Sequence, residues 1–394
     1  MTPIVPRIAV FSIKQIKKCI QTSYNLRWMA DQFEIHFFNS DIDIEFLYHN
    51  KFSLAVVIGN STSFKQLKLS NIPTIHFSNE ESIDGDSVYN FYISSVLEDN
   101  NPIISIFTPA YKSFDRFIRA FKSMQGQSLK DWEWIILDDS PDDSNYLIIK
   151  DLIKNDHRIK LYRANKNDGF IGSTKRQAAS LCSGKYLLEL DHDDELHHLA
   201  LELCVEAFKK FPDAGFCYSN SCETFEDGGN VNYGDHFAMG FGKHYDFKYQ
   251  GKNLLGADTP INASTMRHIV GVPNHFRCWE RDIYFRIHRH NNKLPIVDDY
   301  ELLVRTFLYT KMIHIPEVLY IQYMNSGGNN TQEPRRAEIQ RLVDKISLQY
   351  DKQIHDRIIE LGGTDWLWDK SQGKSNTRIA PPKERSTLAY VYKL

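Results

Sequence analysis

Ser183-Gly184-Lys185-Tyr186-Leu187-Leu188-Glu189-Leu190-Asp191-His192-Asp193-Asp194 joins a turn, a short apolar run and an acidic terminus. Ser-Gly makes the turn, and Tyr186 to Leu190 suits a strand, with Glu189 its one polar intrusion. A buried strand ending in Asp-x-Asp-Asp delivers like charges to the carboxyl edge of a sheet, where open α/β folds place their ligands. Carboxylates clustered in this way raise one another's pKa unless a cation lies between them. Mg²⁺ or Mn²⁺ meets that need, because hard cations take oxygen ligands and commonly share the site with phosphate. A solvated acidic loop leading into the next helix satisfies the same residues, since Asp and Glu favour a helix's first turn.

Composition narrows the classes. A chain of 394 residues has room for two or three domains with their own cores. Its hydrophobic fraction of 42% and charged fraction of 25% are those of an ordinary water-soluble protein. A net charge of −3 leaves no electrostatic footprint for nucleic acid or an anionic membrane. The six cysteines form no Cys-x-x-Cys pair and no zinc spacing, which suits reduced thiols in a core. No apolar run approaches the ~18 residues of a transmembrane segment, and the start lacks a signal-peptide layout. The expectation is a soluble, cytoplasmic protein.

Residues 1–98 alternate strand-like runs (Arg7–Ser12, Phe33–Phe38, Leu54–Gly59, Pro73–Ser78) with helical stretches at Lys14–Asp31 and Ser61–Leu69. This alternation predicts a small Rossmann-like α/β domain. Without a Gly-x-Gly-x-x-Gly fingerprint it is expected to serve docking or homo-oligomer formation rather than dinucleotide binding. Polar residues Leu97–Asn101 before Pro102 mark a boundary.

A second α/β domain follows, with strands at Ile103–Thr108, Trp132–Leu137, Ile159–Arg163, the quoted stretch and Ala214–Ser219. Helices are expected at Asp115–Gln125, Tyr146–Asn155, Ser173–Leu181 and Leu199–Phe211. Three strands then end in polar residues at one sheet edge: Thr108, Asp138-Asp139 and Asp191-His192-Asp193-Asp194. Residues 220–255 read as a Gly- and aromatic-rich excursion, a binding loop or an insertion. Beyond it, Trp279–His288 and the segment opening at Asp298 read as helices, Lys311–Ile315 and Val318–Tyr323 as two strands, and Arg335–Leu361 as an amphipathic helix. The tail after Gly362 is expected to lie on the surface or be disordered.

From residue 102 to about 330 the pattern resembles a family 2 glycosyltransferase with a GT-A fold. The likeness rests on Ile104–Tyr111, on Gln127-Ser128-Leu129 with Trp132–Ser140, and on Asn165–Gly172 with Lys175-Arg176-Gln177. Asp191-His192-Asp193 stands at the Asp-x-Asp position, and Asp298-Asp299-Tyr300-Glu301-Leu302 with Arg305 at the later acidic motif. The resemblance implies a mixed, mostly parallel sheet with helices on both faces, followed by a C-terminal helical extension and tail from residue 331. It also implies site residues. Thr108, Pro109 and Tyr111 would flank the nucleotide base, with Tyr111 on its face, and Asp139 would accept a ring N–H. Lys175 or Arg176 would approach the diphosphate. Asp191 would contact ribose or the metal, Asp193 would bind the metal directly, and Asp299, or else Asp298, would be the general base.

Two features depart from the family pattern: Asp298 stands where members often carry Glu, and Gln322-Tyr323-Met324-Asn325 holds no histidine where some members have a third metal ligand. Asn325 or water would serve there. The function so implied is Mn²⁺- or Mg²⁺-dependent, inverting transfer from a nucleoside-diphosphate sugar, a UDP-sugar by the Asp139 reading, to a glycan, protein or lipid-linked acceptor. The alternative is an inactive GT-A domain that binds a nucleotide sugar or glycan. A phosphotransferase fits less well, since there is no Walker-type loop.

Overall fold

The computed structural model describes residues 7–12, 34–38, 52–58, 74–77, 88, 102–164, 169–231, 243–267, 273, 275–324, 335–365, 368–369, 374–375 and 387–393. The chain divides into two compact units, residues 2–101 and residues 102–394.

The first unit holds a parallel sheet in the order β2-β1-β3-β4, built from β1 (Arg7–Ser12), β2 (Glu34–Phe38), β3 (Phe52–Ile58) and β4 (Thr74–Phe77). Ala55, Val56, Val57 and Ile58 of β3 are all buried, as a central parallel strand requires. The helices expected at Lys14–Asp31 and Ser61–Leu69 lie outside the described residues.

In the second unit, β5 (Ile104–Ala110), β6 (Trp132–Asp138), β7 (Ile159–Arg163) and β8 (Tyr186–Glu189) run parallel in the order β8-β5-β6-β7. β5, β6 and β8 are buried at every position, which explains apolar runs without alternation. One face carries Ile104, Ile106, Trp134, Ile136 and Leu188. It packs on Phe117, Ala120, Phe121 and Met124 of α1 (Phe117–Gln125), spaced i, i+3, i+4, i+7. α2 (Asp143–Ile153) adds Ile149 and Ile153, and the Asp142 carboxylate caps it by accepting from Ser144 N–H at 2.9 Å. α3 (Ile171–Ser180) packs on β5 and β6 and buries Ala178 and Ala179.

Beyond β8 the sheet changes sense. β13 (Arg277–Glu280) runs antiparallel between β8 and β10 (Ala214–Phe225), extending the sheet of the second unit. The expected helix Trp279–His288 is therefore corrected to a strand followed by a short helix, Arg281–Arg286. The buried Cys278 and Trp279 register against Leu188 and Leu187, so sheet pairing overrides a helical spacing. The two strands expected at Lys311–Ile315 and Val318–Tyr323 are one, β14 (Lys311–Met324), parallel to β10 with irregular register near Pro316. Within the 220–255 excursion, β10 continues to Phe225. A hairpin then joins β11 (His244–Tyr249) to β12 (Lys252–Ala257) through Gln250 and Gly251, both at positive φ. Residues 232–242 of that excursion lie outside the described residues. The end of the tail adds a strand at Tyr390–Val391 to β14, and Tyr390 stacks on Phe211 at 4.8 Å. The second unit is thus a mixed α/β fold built on one sheet of parallel and antiparallel strands.

The turn that opens the quoted stretch is pinned from beneath. Glu133 accepts from Ser183 N–H at 2.6 Å and from Ser105 Oγ at 2.7 Å, while Gly184 N–H donates to Ser105 Oγ at 2.7 Å. A Cβ on Gly184 would stand 2.6 Å from the backbone nitrogen of Ser105. Gly184→Ala should therefore push β8 away from β5 and cost about 1–3 kcal/mol. Urea unfolding with a stability equal to wild type would show that this contact yields freely.

Candidate active site

The carboxyl ends of β5 and β6 form the first part of the site. Pro109 sits beyond the last β5–β8 pair, Phe107 with Glu189, where no N–H is needed on that side. The following turn carries Lys112 and Phe114 at φ 47° and 43°, unusual for non-glycine residues. Asp138 holds it there. Its Oδ1 accepts from Ser140 Oγ and Asn145 Nδ2, both at 2.7 Å. Ser140 Oγ in turn accepts from Lys112 N–H, and Asn145 Oδ1 from Phe114 N–H, both at 2.9 Å. Of the acidic pair, Asp138 is structural, while Asp139 is half-buried and accepts from Thr174 Oγ1 at 3.3 Å. Tyr111 is 37% exposed.

A charge network fills the end of β8. Buried Glu189 faces Lys175 Nζ at 2.6 Å, Arg277 Nη1 at 3.4 Å and His290 Nε2 at 3.5 Å. Burial opposes its ionisation, but Lys175 and then Arg277 outweigh that and hold its carboxyl well below the usual range. Arg277 reaches onward to Asp299 Oδ2 at 3.0 Å. Just beyond Glu189, Asp191 N–H donates to Tyr320 Oη at 3.0 Å. Asp194 accepts from Tyr320 Oη at 2.9 Å and from Tyr323 N–H at 2.8 Å. Burial pushes the Asp194 carboxyl well up, and the neighbouring Asp193 and Asp191 add to the rise. Donor atoms of Asp191, Asp194 and His275 lie within 4.8 Å of one another. Two carboxylates and an imidazole held neutral by burial, then by Arg277, make a chemically suitable set for a divalent cation.

The helix Asp298–Tyr309, α6, is entered through Val297 in the left-handed region at φ 59°, a strained position for a β-branched residue. Asp298 does not cap this helix. It is buried, its Oδ2 stands 4.0 Å from His290 Nε2, and a Cβ on Gly172 would meet its Cβ at 2.8 Å. Burial raises its pKa despite the counter-pull of Lys175. Asp299 keeps 27% of its side chain exposed. Burial works against its charge, but Arg277 and Lys175 prevail and leave its pKa lowered. The later motif residues Glu301 and Arg305 pair with each other at 2.6 Å, and Arg305 also donates to the carbonyls of Ile287 and Arg289.

Several expected roles change with this geometry. Thr108 is fully buried, donating to the Leu190 carbonyl at 2.7 Å and accepting from Trp134 Nε1 at 2.8 Å, so its hydroxyl is a strut between strands and not a base contact. Arg176 donates to the carbonyls of His288 and His290, at 2.7 and 3.2 Å, and Lys175 pairs with Glu189. Asp193 stands 3.7 Å from the His192 ring and is not in the converging group, which contains Asp194 instead. Asn325 lies outside the described residues. Glu189, Arg277, His290 and His275 are the residues that sequence reasoning passed over; only Glu189 carried a signal, as the polar residue inside an apolar strand. Glu189→Gln should cost about 3–5 kcal/mol, since it strands buried cations. A loss below about 1 kcal/mol in denaturant unfolding would mean water or another carboxylate compensates them.

Residues 105–269 match the family model for glycosyl transferase family 2. Among curated proteins the chain is similar to chondroitin synthase of Escherichia coli, 25% identical over 66% of this chain and 32% of that protein. It is also similar to hyaluronan synthase of Pasteurella multocida, 24% identical over 58% of this chain and 21% of that protein. The chain thus spans a third or less of the length of these relatives. Among solved structures, S. aureus TarS 1-349 in complex with UDP-GlcNAc aligns at TM-score 0.48 and 14% identity, covering 65% of this chain and 72% of that one. The likeness to glycosyl transferase family 2 is thus carried by residues 105–269 of this chain.

Proposed function

We propose that this protein transfers a sugar from a nucleoside-diphosphate sugar, specifically a UDP-sugar, to a hydroxyl acceptor, with inversion. The observation that carries the reading is the presence, within one compact unit, of the Asp191/Asp194/His275 group and a partly exposed carboxylate, Asp299. Similarity to chondroitin and hyaluronan synthases favours a glycan as acceptor. Tyr111 packs on the base and Asp139 accepts a ring N–H, which favours a pyrimidine. The acids of the Asp191–Asp194 turn, Asp193 among them, hold Mn²⁺ or Mg²⁺. When bound, the cation neutralises charge that develops on the diphosphate leaving group.

In the transfer the acceptor oxygen attacks the anomeric carbon, and that carbon's bond to the diphosphate oxygen breaks, its electron pair leaving with the diphosphate. The acceptor's proton passes to Asp299. Arg277 holds that carboxylate ionised and aimed, which suits a group that must start without its proton. A single base acting opposite the leaving group gives one displacement, hence inversion. Asp298 is too enclosed for this role.

A thermal-shift panel of nucleotide sugars, with and without Mn²⁺, tests donor binding; at a hundredfold excess over Kd a binder stabilises by about 2.7 kcal/mol. Asp139→Ala should weaken UDP by about 1–3 kcal/mol. Equal affinity for UDP, GDP and ADP would remove the pyrimidine assignment. Asp299→Asn should lower kcat by roughly 10²–10⁴ with donor affinity nearly unchanged. Transfer within a few-fold of wild type would reject Asp299 as base, and a protein that binds donor but transfers to no acceptor would be a binding module.

A further inference from the structure

The carboxylates after β8 do not stand alone. Tyr320, in the interior of β14, touches all three members of the converging group. Its Oη accepts from Asp191 N–H at 3.0 Å and donates to Asp194 Oδ2 at 2.9 Å. Its ring stacks on the His275 imidazole, centroids 4.4 Å apart and planes 11° apart. Asp194 is also fixed by Tyr323 N–H, one residue pair further along the same strand. Each Asp194 oxygen thus accepts one hydrogen bond and keeps lone-pair capacity for a second partner.

His275 itself is 94% buried, at 6% exposure, and among the described residues no hydrogen bond occupies its ring nitrogens. A ring nitrogen without a protein partner can serve an external ligand. It points a donor atom at two carboxylates, within 4.8 Å. Resting on the glycosyl-transfer reading, we propose that His275 is a direct ligand of the divalent cation, together with Asp191 and Asp194, and that Tyr320 is the residue that orients all three. An imidazole in the set favours Mn²⁺ over Mg²⁺, because Mg²⁺ prefers all-oxygen surroundings and gives up water reluctantly. The site is then assembled from the turn after β8, a residue two positions before β13 and the side of β14, so it exists only when those strands are paired.

The test is Mn²⁺ binding to the full chain, alone and with UDP, followed by electron paramagnetic resonance. Wild type should bind Mn²⁺ about tenfold or more tighter than Mg²⁺. Its spin-echo spectrum should carry the ¹⁴N modulation of a bound imidazole. His275→Gln should abolish the modulation and weaken Mn²⁺ at least tenfold, while His192→Gln keeps it. Tyr320→Phe retains the stack but loses both hydrogen bonds, and should weaken Mn²⁺ by roughly 10–100-fold. Mn²⁺ bound without ¹⁴N modulation, or modulation lost in His192→Gln, overturns His275 as ligand and leaves metal-dependent transfer standing. No Mn²⁺ binding by wild type, even with UDP, overturns the metal-dependent reading and this inference with it. If His275→Gln does not fold, the wild-type and His192→Gln spectra decide the matter.

Discussion

A carboxylate with almost no access to water, Glu189, stands where β8 gives way to the acidic turn, and it can remain ionised only because Lys175, Arg277 and His290 surround it. A charge buried without such partners would cost several kcal/mol and would take up a proton instead. Each partner comes from a different element: Lys175 from α3, Arg277 from β13, His290 from the loop ahead of α6. The ion network therefore works as a specification of assembly. Three segments far apart in sequence must meet at one strand end before any of these charges is neutralised.

The same network divides labour between neighbouring acids. Arg277 bridges Glu189 to Asp299, so the exposed carboxylate at the start of α6 is held charged and in place. Asp298, one residue earlier, points inward toward His290 and against Gly172, where burial raises its pKa. Asp138 and Asp139 show a parallel split, the first tying down the turn after β5 through Ser140 and Asn145, the second left facing outward. In both pairs one acid is buried and its neighbour keeps partial exposure. Rigid support of this kind is what a group aimed at a reacting atom requires.

Tyr320 plays the corresponding part for the Asp191–Asp194 turn. Its hydroxyl, held within the sheet by β14, joins the backbone of Asp191 to the side chain of Asp194, while its ring lies flat against His275. Three like-minded donors would otherwise repel or rotate apart. Fixing them through one aromatic side chain limits the reorganisation that cation binding demands.

Local pattern alone determined much about this protein. The mainly apolar runs at Ile104, Trp132 and Tyr186 announce strands buried on both faces, and their polar ends announce a ligand edge, because those signals lie within single segments. Asp139, Asp191 and Asp299 became candidates for that reason, each following a strand or opening a helix in recognisable order. What only the tertiary structure decided was which acids look outward, and which cations neutralise them. Thr108, Lys175 and Arg176 read as site residues by position, and the fold ties them to Leu190, Glu189 and two backbone carbonyls respectively. Arg277 opens a four-residue antiparallel strand, with His275 two positions before it, and that strand lies between β8 and β10. Periodicity records the preference of a segment, whereas partners across the sheet, up to 129 positions away in the chain, set the direction of each side chain and the charge it keeps.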